Sequence, residues 1–133
     1  MYLLDTNVVS AARKGHLAPT TWLSRQSPEF VFISVLTLGE LLSGARIKAR
    51  RDPAAGRALE GWAQKLRARY ESRILGIDEA IALEWGRIAA IRTRGDVDGL
   101  IAATAIVHGL TVATRNVADF ADTGVAVVNP WEE

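Results

Sequence analysis

The chain has 133 residues, with 16 basic and 15 acidic side chains and a formal net charge of +1. Hydrophobic residues make up 49% of it, which excludes a disordered chain and, at this length, predicts one domain over residues 1–133. The sequence has no cysteine and two histidines, which excludes disulfide scaffolds, thiolate metal sites, cysteine nucleophiles and multi-histidine metal sites.

No stretch of the sequence reaches the roughly 20 apolar residues that a membrane span needs. The first residues, 1–5, lack the basic start and the long apolar stretch of a secretory signal. We therefore expect a soluble cytoplasmic protein without membrane contact.

Strands and helices alternate in the first half of the chain. The apolar run Tyr2–Leu4 predicts a buried strand that ends at Asp5, and Thr6 or Asn7 can cap the helix after it. The other predicted elements are a helix over 8–14, a helix over 19–25, a strand over 30–34, a helix begun by Ser34 or Thr37 with Leu38, Leu41, Leu42 and Ala45 turned inward, and a basic amphipathic helix over 54–72.

The same alternation continues in the second half. Asp78 is a natural cap for a helix that runs to about residue 93. Asp98 opens a buried helix over 99–107, which Gly109 ends. Strands are predicted over 74–77, 111–113 and 125–128, with a single turn over 117–121. The order predicts an α/β fold with a mostly parallel central sheet flanked by helices.

The small net charge hides an uneven distribution. Residues 46–73 contain nine basic and three acidic side chains, a net +6 that leaves −5 for the remainder. This segment is either a solvated helix face or a phosphate-binding surface.

Four acidic residues occupy positions next to the predicted strands. Asp5 ends the first strand, Glu40 lies on the helix after the second, Asp98 begins a buried helix, and Asp119 follows the 111–113 strand by a short turn. Groups beyond the carboxyl ends of parallel strands converge on one crevice. Asp5 and Asp119 belong to that crevice directly, and Glu40 and Asp98 reach it if their helices pack across the same edge.

Each of these acids also has an ordinary structural interpretation. Asp98 can be only a helix cap, Asp119 a turn residue and Glu40 a solvated side chain. The leucines around Glu40 nevertheless predict that it is partly buried, and a buried carboxylate needs a partner.

Clustered carboxylates raise one another's pKa values, and a hard divalent cation relieves the repulsion. Mg²⁺ is often held by one or two carboxylates and waters, and Mn²⁺ has similar preferences. Acids at the mouth of an α/β sheet therefore indicate metal-assisted phosphate chemistry.

An ordered series of motifs from Leu4 to Trp131 resembles the PIN-domain ribonucleases, and among them the VapC/FitB-like toxins of type II toxin–antitoxin pairs. The series consists of Leu4-Asp5-Thr6-Asn7-Val8-Val9-Ser10, residues 34–40, Asp98-Gly99-Leu100-Ile101-Ala102-Ala103-Thr104-Ala105, His108-Gly109-Leu110-Thr111, Thr114-Arg115-Asn116-Val117-Ala118-Asp119-Phe120 and Asn129-Pro130-Trp131.

The resemblance implies a Rossmann-like sheet order and a Mg²⁺- or Mn²⁺-dependent endoribonuclease. Asp5 and Asp98 correspond to the principal metal ligands, and Glu40 and Asp119 complete the catalytic acidic quartet, directly or through water. The remaining correspondences are Thr6 and Asn116 as supporting polar residues and Arg115 as a substrate phosphate contact, for which a structural ion pair is the alternative. Asp96 departs from the family pattern.

The resemblance also implies partners: a cognate antitoxin that fills a groove formed by the helices after Glu40, an RNA substrate, a second copy in a homodimer, and promoter DNA bound only through the antitoxin complex. The alternative is a PIN-like RNA- or protein-binding module without catalysis. All four acidic positions are filled, which favours the enzyme.

Overall fold

A computed structural model of the chain describes residues 1–132. It contains five strands and six α-helices, with short 3-10 turns at Pro28–Phe30, Glu71–Arg73 and Val117–Phe120. The elements in order are β1 (Tyr2–Leu4), α1 (Thr6–Arg13), α2 (Leu17–Ser24), β2 (Val31–Ser34), α3 (Val35–Ala49), α4 (Pro53–Arg69), β3 (Ile74–Leu75), α5 (Glu79–Ala89), α6 (Asp96–His108), β4 (Thr111–Ala113) and β5 (Val127–Val128). Within residues 1–132, none of the helices has the length and apolarity needed to cross a bilayer.

The five strands form one parallel sheet in the order β3-β2-β1-β4-β5. The strand β1 lies at the centre, with Tyr2 opposite Val31 on one side and opposite Thr111 on the other. The chain builds the sheet outward through β2 and β3 and then crosses to the other side of β1. This confirms the predicted α/β class, and it places the reversal of strand order between β1 and β4, where sheets of this kind bind ligands.

Helices cover both faces of the sheet, and neighbouring residues of β1 pack against opposite layers because side chains alternate along a strand. Leu3 lies in a core cluster with Ile88, Ile101 and Phe120, all fully buried. Leu4 lies in a second cluster with residues of α1, α2 and α4, including Val8, Trp22 and Leu66. The sheet is therefore held from both sides, which fixes the ends of its strands.

The helices α3 and α4 form a tight antiparallel hairpin. A Cβ atom added at Gly56 would lie 2.5 Å from the Ala49 Cβ and 2.6 Å from its Cα, so the two backbones meet at a position that only glycine fits. An ion pair between Arg46 and Glu60, at 3.0 Å, joins the exposed side of the hairpin.

Several helix ends differ from their predicted positions. Asp5 caps α1 in place of Thr6 or Asn7, because its carboxylate accepts the Thr6 amide. The helix α5 ends at Ala89, and α6 begins at Asp96 behind Gly95. Asp98 therefore lies within the first turn of α6 and is not its cap. Leu42 was expected to point inward, but it is 42% exposed.

Candidate active site

Asp5 follows the central strand and is only 6% exposed. Its Oδ1 accepts a hydrogen bond from the Thr6 amide at 2.8 Å. Its Oδ2 accepts one from the Thr114 hydroxyl at 2.8 Å and a longer one from the Asn7 side-chain amide at 3.4 Å. Burial raises the pKa of Asp5, and the hydrogen bonds from Thr114 and Thr6 oppose that rise. The carboxylate is thus fixed in orientation at the point where the strand order reverses.

Glu40 lies on α3 and is exposed, so the expectation that it is partly buried is wrong. The neighbouring leucines Leu38 and Leu41 pack against the core through other sides of the helix, which leaves Glu40 facing solvent. Its Oε1 nevertheless accepts a hydrogen bond of 2.6 Å from the Thr6 hydroxyl, which is 3.0 Å from the hydroxyl of buried Thr37. Thr6 therefore connects the end of β1 to α3.

Asp98 lies half-buried in the first turn of α6. Burial is the main reason that its pKa is raised to about 6, and the charges of Asp5, Asp119 and Glu40 raise it further. The guanidinium of Arg94 acts in the opposite direction. Asp98 therefore carries its negative charge in a place that disfavours it.

Asp119 lies half-buried in the 3-10 turn that follows β4. Its charge raises the pKa values of both Asp5 and Asp98. The backbone carbonyl of Asp119 accepts a hydrogen bond of 2.8 Å from Arg94 Nη1, which fixes the turn against the segment before α6.

The structure brings all four acids to one edge of the sheet, near enough for Asp5, Glu40 and Asp119 each to act on the charge of Asp98. Among residues 1–132, no three histidine, aspartate or glutamate side chains are close enough to enclose an ion. The donor set still fits a hard divalent cation, because Mg²⁺ takes one or two carboxylates and fills its other positions with water. Burial is the larger cause of the raised pKa of Asp98, and such a cation would relieve the smaller part that comes from repulsion by the other carboxylates.

The other predicted site residues contribute in different ways. Asn116 is exposed, and its backbone amide donates a hydrogen bond of 3.0 Å to the Thr114 hydroxyl. Within residues 1–132 its side chain forms no hydrogen bond to the site. Arg115 forms no ion pair in the described part of the chain. Its guanidinium carbon lies 5.1 Å from the centre of the Trp131 ring, so it is held beside the site by a cation–π contact.

Three polar residues at the site were not found from the sequence: Asn7, Thr114 and Arg94. Thr114 is fully buried and donates to Asp5, and a signal for it exists, since it is the first polar residue after the apolar strand β4. Arg94 has a side chain that is only 4% exposed. Nothing in the sequence distinguishes Arg94 from Arg92, because burial of one and not the other depends on how α5 and α6 pack.

A groove of about 300 Å³ opens beside Glu40, between α1, α3 and α4. Its walls combine apolar and basic side chains, and the guanidinium carbon of Arg13 lies 5.6 Å from the centre of the Trp62 ring. The lining residues include Arg13, Lys14 and Lys48 together with Leu41, Leu59 and Trp62. The groove therefore suits an anionic or amphipathic occupant that reaches the carboxylates.

Comparison with known proteins agrees with this geometry. The sequence pattern of the PIN domain matches residues 2–125. The chain is 34% identical to the VapC ribonuclease Y4jK of Sinorhizobium fredii over 99% of both chains, and 35% identical to the toxin FitB of Neisseria gonorrhoeae over 100% of both.

Solved structures give the same result. The crystal structure of FitAcB from Neisseria gonorrhoeae superposes with a TM-score of 0.90, at 35% identity and over 100% of both chains. The structure of FitAB bound to an IR36 DNA fragment superposes with a TM-score of 0.85, at 31% identity, and the match covers 98% of this chain and 96% of that one.

Proposed function

Because the chain belongs to the PIN-domain family, and within it to the VapC/FitB ribonucleases of toxin–antitoxin systems, we propose that it is a Mg²⁺- or Mn²⁺-dependent endoribonuclease that acts as a toxin. The observation that carries the proposal is that four carboxylates from four separate elements lie at the edge of the sheet where the strand order reverses, near enough for three of them to act on the charge of Asp98. Relatives that are named ribonucleases indicate the class of reaction. The four carboxylates indicate that a divalent cation takes part in it.

Asp5 and Asp98 are the proposed principal metal ligands, with Glu40 and Asp119 completing the site directly or through water. When bound, the cation would polarise a phosphoryl oxygen and lower the pKa of the attacking water. The support from this chain is that Asp5 is oriented by Thr114 and Thr6, and that burial and three neighbouring carboxylates raise the pKa of Asp98.

The remaining site residues orient the reacting groups. The Thr6 hydroxyl holds Glu40 towards the end of β1, and the Asn116 amide fixes the hydroxyl that contacts Asp5. Arg115, exposed beside Trp131, is proposed to contact a substrate phosphate, and the absence of an ion pair for it within residues 1–132 supports this over the structural alternative.

We propose a cognate antitoxin as the partner that occupies the groove beside Glu40. Its apolar walls suit an amphipathic segment, and Glu40 in its lining suits a basic side chain of that segment. We propose that promoter DNA would be bound only through this complex; FitAB, a relative, has been solved bound to an IR36 DNA fragment. A homodimer is proposed from the family, and exposed apolar side chains such as Leu83, 71% exposed on α5, offer area to bury.

The test is RNA cleavage by the purified, antitoxin-free chain. We expect cleavage with Mg²⁺ or Mn²⁺, none with EDTA, and a loss of at least about a hundredfold in Asp5→Asn and Asp98→Asn, because each removes a charged oxygen ligand. Asp52→Asn is the matched control: it makes the same chemical change at the exposed cap of α4, away from the site, and keeps a good capping residue.

Circular dichroism establishes that the variants fold. Full activity in both site variants contradicts the assignment of Asp5 and Asp98. RNA binding without cleavage, across metals and substrates, contradicts the enzyme and favours the non-catalytic binding module.

A further inference from the structure

Asp122 holds two arginines against the turn that carries Asp119. Its Oδ1 pairs with Arg94 Nη1 at 2.9 Å, and its Oδ2 accepts a hydrogen bond from Arg92 Nε at 2.7 Å. The same two arginines bind successive carbonyl groups of the turn. Arg92 Nη2 donates to the Ala118 carbonyl at 3.0 Å, and Arg94 Nη1 donates to the Asp119 carbonyl at 2.8 Å. The residues Arg92, Arg94 and Asp122 thus form an arginine clamp.

The arginine clamp lies between two carboxylates of the proposed metal site. Asp98 is in the first turn of α6, and Asp119 is in the 3-10 turn after β4. Arg94 binds the backbone of Asp119 and is separated from α6 by Gly95 alone. A Cβ atom added at Gly95 would be 3.4 Å from Asp98 Oδ2, so this end of the clamp lies beside the Asp98 carboxylate. The clamp therefore joins the elements that carry the two acids by a short path.

The turn that carries Asp119 has few other attachments. It spans Val117–Phe120, and of its four residues Phe120 alone is buried. The Asp119 amide donates to the Asn116 carbonyl at 3.0 Å, which closes the turn locally without tying it to α6. Burial of Phe120 anchors the end of the turn, and the arginines hold the carbonyl groups of the two residues before it.

Stability alone does not explain the buried arginine of the clamp. The Arg94 side chain is 4% exposed, and its Nε and Nη2 are closed to solvent without a hydrogen-bond partner in the described part of the chain. Buried donors without acceptors cost free energy, and apolar side chains often replace a buried ion pair without loss of stability. What Arg94 does provide is a rigid planar group whose Nη1 fixes one oxygen of Asp119 and one of Asp122. This favours a positional role.

We propose that Asp122 is a positioning residue for the metal site. Through the two arginines of the clamp, it sets the distance between the carboxylates of Asp98 and Asp119 for binding of the divalent cation. The inference rests on the proposed function for the presence of that cation. Without the Asp122 carboxylate, the two guanidinium groups lose their shared partner and repel each other, so the turn is no longer held at one distance from α6.

The identity of the cation gives the proposal a geometric test. Mg²⁺ demands near-ideal octahedral geometry, whereas Ca²⁺ accepts variable distances and coordination numbers. A change of charge near the site affects two divalent ions alike. A change in the distance between two carboxylates should affect Mg²⁺ more than Ca²⁺.

The first experiment measures metal binding by the purified, antitoxin-free chain without any cleavage. Electron paramagnetic resonance records free Mn²⁺, and Mg²⁺ and Ca²⁺ are measured by their displacement of Mn²⁺. We expect Asp122→Asn to weaken Mg²⁺ binding about tenfold, as loss of a residue that orients a metal ligand commonly does, and Ca²⁺ binding by less than about threefold.

Asp96→Asn is the matched control for the charge of Asp122. It removes the same charge from an exposed position near the site, and Asp96 forms no ion pair within residues 1–132. Because solvent and salt screen an exposed charge, this variant should weaken binding of both ions by the same factor, less than about threefold.

The second experiment uses Arg92→Met to separate the clamp from its charge. Removal of a positive charge near the carboxylates should by itself strengthen cation binding. Loss of the bonds to Asp122 and Ala118 should weaken it, and we expect Mg²⁺ to bind about tenfold more weakly. Arg92→Lys keeps the charge but not the planar group that makes both contacts, and its affinity should fall between those of Arg92→Met and the wild-type chain. The Arg92 side chain is 42% exposed, so the core stays intact, and circular dichroism checks this.

Two outcomes mean that only charge matters and overturn the proposal: Mg²⁺ binding in Arg92→Met that equals or exceeds that of the wild-type chain, and losses in Asp122→Asn that are equal for Mg²⁺ and Ca²⁺. A wild-type chain that binds neither Mg²⁺ nor Mn²⁺ contradicts the proposed function and this inference with it. Metal binding that is present in the wild-type chain and unchanged in the clamp variants contradicts the inference alone.

Discussion

Asp98 shows how the position of a single side chain can lower the stability of the fold. Its pKa of about 6 in the folded chain exceeds the value of about 3.9 expected in an unfolded one. The folded state therefore binds more protons between these two values, and the contribution of Asp98 to stability falls as the pH rises from about 4 to about 6. Above pH 6 the destabilisation is complete.

Asp98→Asn should therefore be more stable than the wild-type chain at pH 7 in EDTA, because the amide carries no charge to bury. The difference between their melting temperatures should shrink as the pH falls and disappear near pH 4. Thermal unfolding followed by circular dichroism, at several pH values, measures it. A variant that is less stable at pH 7 contradicts the raised pKa.

Asp122→Asn is the control of opposite sign. Hydrogen bonds from Arg94 and Arg92 lower the pKa of Asp122 to about 2. Its contribution to stability is present above the unfolded value of about 3.9 and is lost as the pH falls towards 2. The asparagine variant should melt at a lower temperature than the wild-type chain at pH 7.

Candidate site residues could be inferred from the sequence where an acidic side chain directly follows a predicted strand. Asp5 and Asp119 follow apolar strands, and the parallel sheet brings such positions together. The exposure of Glu40 could not be inferred, because the direction in which a helix turns its polar face depends on how it packs. The burial of Arg94 and Thr114 has the same origin, since both contact residues that are distant in the chain.

Among the elements, the α3–α4 hairpin shows a constraint that local patterns do not reveal. Both helices could be predicted, but nothing in the sequence around Gly56 indicates that the backbone of Ala49 lies against it. Helix ends were placed less accurately for a similar reason: the end of α5 and the start of α6 are set by the contacts of Arg92 and Arg94 with the Val117–Phe120 turn and with Asp122.

Gly56→Ala should destabilise the chain by about 1–3 kcal/mol, because the new methyl group would meet backbone atoms that cannot move without opening the hairpin. Gly61→Ala, on the same helix, has no atom within 4 Å of the added carbon and should stabilise by about 0.5–1 kcal/mol through helix propensity. Urea unfolding gives both free energies. Equal effects from the two substitutions would show that the close approach is absent.

At the scale of the whole molecule, the excess of basic residues over 46–73 lies on one helical hairpin. The basic segment over residues 46–73 forms the carboxyl end of α3 and the whole of α4, and Lys48 lies in the groove that begins at Glu40. Basic side chains therefore line a groove that ends beside the acidic residue Glu40. A polyanion can be attracted along this path, whereas at the carboxylates themselves it needs a cation.

Arg50→Gln combined with Arg51→Gln should weaken RNA binding and reduce the slope of log affinity against log salt by about 0.7 for each phosphate contact that is lost. Both residues are exposed at the end of the α3–α4 hairpin. Arg87→Gln, on α5 and paired with Glu84, is the control and should leave the slope unchanged. Anisotropy measurements over a range of salt concentrations decide between the outcomes.

The order of the strands also has a consequence for synthesis of the chain. Asp5 is synthesised before the residue that orients it, because the hydroxyl from which it accepts a hydrogen bond belongs to Thr114, 109 residues later, and the central strand gains its second neighbour only with β4. A nascent chain that has not been extended through β4 and the turn after it holds neither Thr114 nor Asp119. A centre built in this way is not assembled until the segment that carries Thr114 and Asp119 has been synthesised, so the early part of the nascent chain cannot act alone.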